Sequence, residues 1–511
     1  MPEVHDPFDS SGTEVGADGV RRYTGLHRNV VALLQETVQR HPDRPAVVEL
    51  DGPAVGYAEL WERAARVAGG LRDAGVGRGD RVAVRLGNGL DWLLAFWGTH
   101  LAGGIVVPLN TRLAEAEVEY VLADCGAAHV VRPGEPLPDG EPGEAADPAH
   151  GDVAALFYTS GTTGRPKGAM LTHENFLSTI ESVIRCRQLS RDPGVSNATL
   201  ISVPLFHVTG CCSQMMTQVA LGGLSVVMPR FDPAAFLAAV PRHGITLLTS
   251  VPTIYELVLR HPAFPTTDVS TVRTLSYGGA PIAPDLVQRL LEAFPRARLG
   301  NGFGLSETSA LATFLPHEYA ATHADAVGFP TPVNDVRVDR PDDETGIGEL
   351  LVRGPNVVAG YWGDPARTAE TFVHGWLHTG DMATITDGPG FAGLVRIVDR
   401  AKDMINRGGE NVYSVEVENA LAAHPDVVEV AVVGVADPVM GEKVGAVVLP
   451  RPGVTAGELV PSLIAFARTR LADFKVPQFV RVLEAPLPRN AGGKVLKSPL
   501  RQQTEWTAVP R

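Results

Sequence analysis

The chain has 511 residues, 44% of them hydrophobic and 20% charged, which allows two to four domains and a large buried core. Its 58 Asp+Glu against 44 Lys+Arg give a formal charge of −14, which argues against a sequence-independent nucleic-acid surface or an anionic membrane as partner. Cys125, Cys186, Cys211 and Cys212 have no metal-ligand spacing and are too sparse for a disulfide framework, so a reducing cytoplasm is the expected compartment. The first residues lack a basic-then-apolar leader, and no run of about eighteen apolar residues offers a membrane span.

Residues 1–28 are polar and irregular. The spacing of Val30, Val31, Leu33, Leu34 and Val38 then predicts a helix stopped by His41-Pro42. A strand over 46–50, a helix over 58–72 closed by Gly75, a strand over 81–86, a helix over 92–101 and a strand over 105–109 follow. Residues 133–150, rich in Pro, Gly, Asp and Glu, read as an exposed linker. Alternation resumes with strands over 199–203, 224–228, 246–250 and 272–276, and helices over 233–243, 253–259 and 284–294. Such alternation implies a parallel sheet covered on both faces. Short strands over 346–352, 376–381 and 391–399 suggest a β-rich lobe, and a last unit carries helices over 415–423 and 459–471 and strands over 427–433 and 444–449. Cys211 and Cys212 are expected to start a buried helix with Met215 and Met216.

Between the apolar run 153–157 and the next segment lies Tyr158-Thr159-Ser160-Gly161-Thr162-Thr163-Gly164-Arg165-Pro166-Lys167-Gly168. Glycines let consecutive N–H groups curl around one anion, hydroxyls add donors, and Lys167 can neutralise charge. The spacing is not that of the common P-loop, because no Gly-Lys-Ser/Thr opens a helix. The loop resembles the phosphate-binding loop of the adenylate-forming superfamily, which holds acyl-CoA synthetases, peptide-synthetase adenylation domains and beetle luciferases. Further stretches match in the expected order, from about residue 30 to 500.

Asn301-Gly302-Phe303-Gly304-Leu305-Ser306-Glu307-Thr308 looks like the segment that closes over adenine, with Phe303 as stacking face and Glu307 as a hard oxygen ligand for Mg²⁺. Phe303 and Ser306 stand where the family more often has Tyr and Thr. Asp381, ending Trp376-Leu377-His378-Thr379-Gly380-Asp381, maps to the ribose ligand. In Asp399-Arg400-Ala401-Lys402-Asp403, Arg400 maps to a second ribose contact and Lys402 to the hinge. Arg407-Gly408-Gly409-Glu410 resembles the loop that approaches the pantetheine thiol, and Lys494, after Gly492-Gly493, resembles the catalytic lysine that binds the carboxylate and the α-phosphate.

The resemblance therefore implies an α/β fold: a large N-terminal domain of parallel βα sheets with a small β-rich lobe (1–399), a hinge (400–402), and a small mobile α+β C-terminal domain (403–511). It implies ATP and Mg²⁺ as cofactors and CoA as co-substrate. Lys494, Glu307, Lys167 and His207 are the catalytic candidates. ATP is expected to meet Thr159, Ser160, Gly161, Thr162, Thr163, Gly164, Lys167, Gly279, Ala280, Pro281, Asn301, Gly302, Phe303, Gly304, Ser306, Asp381 and Arg400. The acid pocket is expected from Phe206, His207, Cys211, Tyr277, Gly278, Gly279 and Gly304.

Amino-acid-activating relatives carry an Asp where this chain has His207, and dicarboxylate-activating relatives carry an Arg beside the position of Phe303. An uncharged fatty or aromatic acid remains. The leading expectation is an AMP-forming acyl-CoA ligase whose partners are a small carboxylic acid, ATP and CoA, with no nucleic acid and no membrane span, and with a homodimer as one assembly open to it. Within adenylation chemistry the alternatives are a carrier-protein thiol or an amine as acceptor, or nitrite activated for nitrogen–nitrogen bond formation. A non-catalytic nucleotide-binding protein is the third reading, opposed by the complete set of Lys167, Glu307, Asp381, Arg400 and Lys494.

Overall fold

The structure, a computed structural model, describes residues 6–159, 165–192, 194–280, 282–388, 390–408, 410–489, 495–502 and 506–509. It divides into two compact units, one of Met1–Arg337, Leu351–His378 and Thr386–Val395, the other of Val338–Leu350, Thr379–Ile385 and Arg396–Arg511. The sequence places the limit at 400–402. The contact division falls at 395/396 and assigns two earlier stretches to the second unit. The strands of the expected β-rich lobe, Asp335–Asp339, Gly348–Arg353, Trp376–Ile385 and Val395–Arg400, each cross that division.

In the first unit a nine-stranded sheet has the order Phe329–Pro330, Thr313–Leu315, Arg298–Phe303, Thr274–Gly278, Leu247–Ser250, Ala198–Ile201, Leu224–Val227, Pro45–Glu49, Ala54–Gly56. Its middle is parallel and both edges are antiparallel. A second sheet runs His129–Val131, Arg81–Val84, Ile105–Pro108, Val153–Thr159, Lys167–Thr172, and only its last pair is antiparallel. The parallel strands are buried on both faces, which is why 105–108 reads as Ile-Val-Val-Pro with every residue buried. Helix Leu90–Ala102 is buried from Trp92 to its end and is apolar nearly all round, as a helix packed on several sides must be.

Several elements differ from the reading of the sequence: strands Thr13–Val15 and Arg21–Tyr23 pair within the stretch read as irregular, and helix Glu115–Cys125 was not expected. Residues 133–150 carry no regular structure, as expected, yet they are pinned. Gly140 N donates to the Arg66 carbonyl at 3.0 Å, Arg66 pairs with Asp139 at 2.7 Å, and Arg72 Nη2 donates to the Glu144 carbonyl at 2.7 Å. Gly69 and Gly70 of helix Tyr57–Asp73 permit this, because a Cβ at either would meet the linker backbone at 2.3 Å. Helix His173–Cys186 is absent from the reading of the sequence although Phe176, Leu177, Ile180, Val183 and Ile184 keep helical spacing, and it buries polar His173, Asn175 and Glu181 as well. Thr172 and Asn175 close its N-terminus by exchanging side-chain-to-backbone bonds of 3.2 and 2.8 Å.

The second unit is α+β. Strands Glu410–Val412, Ile405–Arg407, Gly441–Pro450, Phe479–Val482 and Thr507–Ala508 form a sheet, with Val427–Asp437 paired to Gly441–Pro450. Val417 and Leu421 of helix Ser414–Ala422 and Leu459 and Leu463 of helix Ala456–Arg468 bury against Ile405, Val432 and Val444. Among the described residues no helix is long and apolar enough to cross a membrane.

The first unit contains an acid-sensitive pair. His100 and His173 lie 5.7 Å apart beside Phe96 and Phe176, and neither His100 nitrogen has a hydrogen-bond partner. Burial pushes the His173 imidazole down to about 4 and holds His100 well below the usual histidine range. Below about pH 6.5 the unfolded chain then binds protons that the folded chain refuses, so stability is lost as pH falls from about 6.5 towards 4, at about 1.4 kcal/mol per unit of depressed pKa. We expect His100→Leu to flatten that loss, read as the change in urea midpoint between pH 7 and pH 5. Equal losses in variant and parent would assign the sensitivity elsewhere.

Candidate active site

The glycine- and hydroxyl-rich segment spans a hairpin. Thr159 lies opposite Lys167 and Tyr158 opposite Gly168, while Ser160, Gly161, Thr162, Thr163 and Gly164 lie outside the described residues. Strand Lys167–Thr172 is also bonded along its other edge, Trp362 N to the Gly168 carbonyl at 2.8 Å and Met170 N to the Gly360 carbonyl at 2.9 Å. That second seam carries Tyr361 under Lys167, whose Nζ is 4.7 Å from the ring centroid. The Tyr361 hydroxyl in turn donates to Glu307 Oε1 at 2.8 Å. Lys167, Tyr361 and Glu307 therefore form one cluster. A cleft of about 170 Å³ lies there, lined by Tyr120, Asp124, Arg165, Lys167, Tyr361 and Arg367 among others.

Burial, then the Arg367 charge, lowers the Lys167 ammonium below its usual value, while Glu307, Asp364 and Glu370 oppose the shift. An anion brought here would oppose that shift through its charge. Burial and the Glu307 charge push the Tyr361 phenol far above the phenol range, so it remains a donor.

Glu307 sits on the short 3₁₀ turn Ser306–Thr308. Leu305 N donates to Thr308 Oγ1 at 2.8 Å, and buried Asn356 Nδ2 donates to the carbonyls of Thr308 and Leu311 at 3.0 and 2.6 Å. Ser309 and Ala310 follow with φ of 54° and 109°, a costly backbone held by those bonds. Gly304 is obligatory, since a Cβ there would lie 2.0 Å from the Ala310 carbonyl oxygen. Asn301 donates to the Ala326 carbonyl at 3.1 Å, while Gly302, Phe303 and Ser306 are half-buried.

The residues expected to wall the acid pocket gather at the carboxyl ends of the parallel strands, where ligands of open α/β sheets bind. Phe206 and His207 have ring centroids 4.8 Å apart. His207 Nε2 is sealed from solvent with no partner, and burial pushes the imidazole down to about 4, so it is neutral at pH 7. The segment after it, Thr209–Met216, is a π-helix, which buries Cys211 and Cys212 together with Met215 and Met216. Gly210 lets this turn close, because a Cβ would meet the Pro204 carbonyl oxygen at 2.4 Å. Cys211 is fully buried and burial raises its thiol, which fits packing. On strand Thr274–Gly278 the Ser276 Oγ and the Tyr277 hydroxyl are buried without partners. Gly278 lies against the Gly302 carbonyl, Gly279 has φ of 75°, Ala280 is exposed, and Pro281 lies outside the described residues.

The second unit holds the rest. Arg400 Nε is 2.6 Å from Asp381 Oδ1, and Asp381 is buried. Lys402 is exposed. Arg407 is buried, faces Gln478 at 3.2 Å and lies 3.9 Å from Glu410. Gly408 has φ of 64° and donates its N–H to the Met440 carbonyl at 2.8 Å, while Gly409 lies outside the described residues. So does Lys494. Its flanks, Arg489 and Val495, form an antiparallel bridge, and Leu496 N donates to the Pro488 carbonyl at 2.7 Å. Tyr361 was not anticipated, nor was Lys497, which lies 2.7 Å from Glu418 and donates to Ser414 Oγ at 2.6 Å. Gly360-Tyr361-Trp362 carries no periodicity, and only its pairing to Lys167–Thr172 reveals it.

Residues 34–362 match the model of the AMP-binding enzyme family, and residues 416–494 match the AMP-binding enzyme C-terminal domain. The chain is 40% identical over 479 residues to a feruloyl-CoA synthase of Amycolatopsis sp, covering 88% of this chain and 94% of that one. It is 32% identical over 548 residues to a long-chain-fatty-acid–CoA ligase of Bacillus subtilis, covering 93% and 95%. Its fold superposes on ATP-bound MatB from Rhodopseudomonas palustris with a TM-score of 0.83 and 31% identity, over 93% and 98% of the two chains. The chain belongs to the AMP-binding enzyme family. Within it, the chain is an AMP-forming acid–thiol ligase, which activates a carboxylic acid with ATP and passes the acyl group to CoA.

The glycine contacts are directly testable. Gly304→Ala is expected to lower stability by about 1–3 kcal/mol through overpacking against backbone, read as a lower urea midpoint. Gly302→Ala, whose nearest neighbour is a Leu311 side-chain carbon at 3.1 Å, should cost less. A reversed order would refute the close approach at residue 304.

Proposed function

We propose that the acid is an uncharged aromatic carboxylic acid and that the sequence-predicted residues carry out its adenylation. The observation that carries the catalytic part is the Lys167–Tyr361–Glu307 cluster, which holds a cation for the phosphates and a carboxylate for Mg²⁺ within three touching side chains. Glu307 fits such an ion. Mg²⁺ commonly takes one or two carboxylates together with substrate phosphates and waters, and with Oε1 accepting the Tyr361 hydrogen bond the second oxygen is left to coordinate. Bound there, the ion would screen the phosphate charge.

The acid is already a nucleophile at neutral pH, so the chemistry needs charge cancellation and in-line placement rather than a base. Lys167, with the loop of Thr159 to Gly164, orients the phosphates. Phe303, with Asn301, Gly302, Gly304 and Ser306, borders adenine, and Asp381 and Arg400 hold the ribose. Lys494 bridges the acid carboxylate and the α-phosphate while the new acyl oxygen–phosphorus bond forms and pyrophosphate leaves. A thiolate guided by Arg407, Gly408, Gly409 and Glu410 then attacks the acyl carbon, and AMP departs. Lys402 is assigned to the hinge between residues 1–399 and 403–511. Neutral His207 beside Phe206 supports an acid without a second charge, and 40% identity to the feruloyl-CoA synthase against 32% to the fatty-acid ligase supports a ring. Four free, buried cysteines support a reducing cytoplasm.

Pyrophosphate release with ATP and Mg²⁺ against fatty acids, aryl acids and nitrite, with and without CoA, tests the reading. Turnover is expected with aryl acids and to require CoA. Release that ignores CoA, or that needs nitrite or an amine, would change the acceptor. Lys494→Ala should abolish adenylation and largely spare thioester formation from a supplied acyl adenylate, and equal loss of both half-reactions would refute its role. Tyr361→Phe should cut kcat/KM for MgATP by about tenfold or more, the size expected for losing a hydrogen bond to a charged group. An unchanged value would detach Tyr361 from the site.

A further inference from the structure

The turn that bears Glu307 is held from a distance. Asn356 supports it by donating to the Thr308 and Leu311 carbonyls, and Asn356 is itself held, because its Oδ1 accepts from Asn334 Nδ2 at 2.7 Å. Asn334 Oδ1 accepts from Thr331 Oγ1 at 2.6 Å, Thr331 Oγ1 accepts from Ser182 Oγ at 3.4 Å, and Ser182 Oγ lies 3.0 Å from the Tyr23 hydroxyl. Ser182 spends its one proton on Thr331, so the Tyr23 phenol is the donor at the outermost contact. Tyr23, Ser182, Thr331, Asn334 and Asn356 are all buried. Their donors point one way, from Tyr23 to the Glu307 turn, and bonds so aligned polarise one another. Burial and the nearby Cys186 push the Tyr23 phenol far above the phenol range, so it stays a donor.

Tyr23 comes from the hairpin of Thr13–Val15 and Arg21–Tyr23, upstream of the stretch that matches the AMP-binding enzyme family. The reaction above does not use it, yet the hairpin is clamped to helix His173–Cys186. Arg22 Nε lies 2.9 Å from Glu174 Oε1, and the Arg185 guanidinium lies 4.6 Å from the Tyr23 ring centroid. Arg185 Nη1 also donates to the carbonyls of Asp9 and Ser11 at 2.9 and 2.6 Å. Phe8, whose ring centroid is 6.3 Å from that of Phe314, packs in one apolar cluster with Leu311. The helix reaches Asn356 by a second route, since Asn175 Nδ2 donates to the carbonyls of Pro355 and Val357 at 2.7 and 3.1 Å. Left-handed backbone such as that of Ser309 and Ala310 persists only where its surroundings over-determine it. An Asn356 amide free to rotate would release both carbonyls that restrain it.

We propose that Tyr23 is a positioning residue for Glu307: the N-terminal hairpin, acting through Ser182, Thr331, Asn334 and Asn356, fixes the turn that offers this carboxylate to the metal-bound nucleotide. This rests on the assignment of Glu307 made above.

Hydrogen exchange of the intact protein reads the turn without recourse to activity. The Ser309 and Ala310 amides are bonded to the Ser306 and Leu305 carbonyls. In Tyr23→Phe they should exchange about fivefold faster, the size of one ordinary hydrogen bond, while amides of the central strand Leu247–Ser250 keep their rates. Thr331→Val cuts the chain of bonds nearer the turn and should do at least as much, whereas Thr331→Ser keeps the hydroxyl and should keep the parent rates. The double variant Tyr23→Phe/Thr331→Val should be no faster than Thr331→Val alone, because the two changes interrupt one path. The KM for MgATP should rise by a similar factor with the KM for the acid unchanged. Unchanged exchange in the turn, faster exchange everywhere alike, or equal effects of Thr331→Val and Thr331→Ser overturns the proposal and leaves the assignment of Glu307 standing. Faster exchange confined to the turn, with the KM for MgATP unmoved, supports the Tyr23 linkage and overturns the assignment of Glu307 to the nucleotide's metal.

Discussion

Strand Lys167–Thr172 is bonded along both edges, to Val153–Thr159 on one side and to residues 359–362 on the other, and the first unit's chemistry depends on that double seam. A hairpin strand bonded on one edge could shift register and turn its side chains over. Bonded on both, it fixes Lys167 at the end of the hairpin and fixes Tyr361 beneath it. Tyr361 can then do two things at once, offering its ring to the Lys167 cation and its hydroxyl to Glu307. The carboxylate and the ammonium are held near each other without a direct ion pair, which would use up both charges. The lowered Lys167 ammonium marks a cation kept in want of an anion.

The same economy governs the strand ends. Gly278 against the Gly302 carbonyl and Gly304 against the Ala310 carbonyl bring backbones closer than any side chain permits. The turn that bears Glu307 consequently stands directly beside the strand that bears Tyr277. Its strained φ values at Ser309 and Ala310 are sustained by Asn356, buried and donating to both Thr308 and Leu311. Side chains that meet no ligand, such as Asn356, thus carry the geometry of those expected to meet one.

How much of this was legible in the sequence follows from the reach of each interaction. The helix at Val30–Arg40 declared itself through a 3.6-residue apolar stripe and the His41-Pro42 stop, and the parallel strands through short apolar runs. Helix His173–Cys186 carries the same kind of stripe in Phe176, Leu177, Ile180, Val183 and Ile184; what the sequence does not show is that its polar face is buried too. The run 133–150 looked free by composition, and only Gly69 and Gly70, two residues that read as helix weaknesses, hint that another chain lies on them. Among site residues, Lys167 and Glu307 stand in recognisable local order. Tyr361 meets Glu307 across 54 positions, so no local pattern could announce it. Lys494 was assigned by resemblance, and the structure describes only its flanks.

Those flanks carry the last step of the argument. In the second unit the Lys497 ammonium lies 2.7 Å from Glu418 and donates to Ser414 Oγ at 2.6 Å, while Ser414 donates through its hydroxyl to Asp399 at 3.0 Å and through its N–H to the same carboxylate. Burial raises both Asp399 and Glu418, and the Lys497 charge opposes each shift. One lysine thereby steadies a buried and a half-buried acid, an arrangement that tolerates neither its loss nor its displacement. Asp399 immediately precedes Arg400, and Lys497 stands three residues after Lys494. The arginine assigned to the ribose and the segment of the lysine assigned to the α-phosphate are, through this buried network, parts of one electrostatic unit. On either side of the lysine, Arg489 and Val495 are joined by an antiparallel bridge, and Arg489 pairs with Glu429 at 3.1 Å.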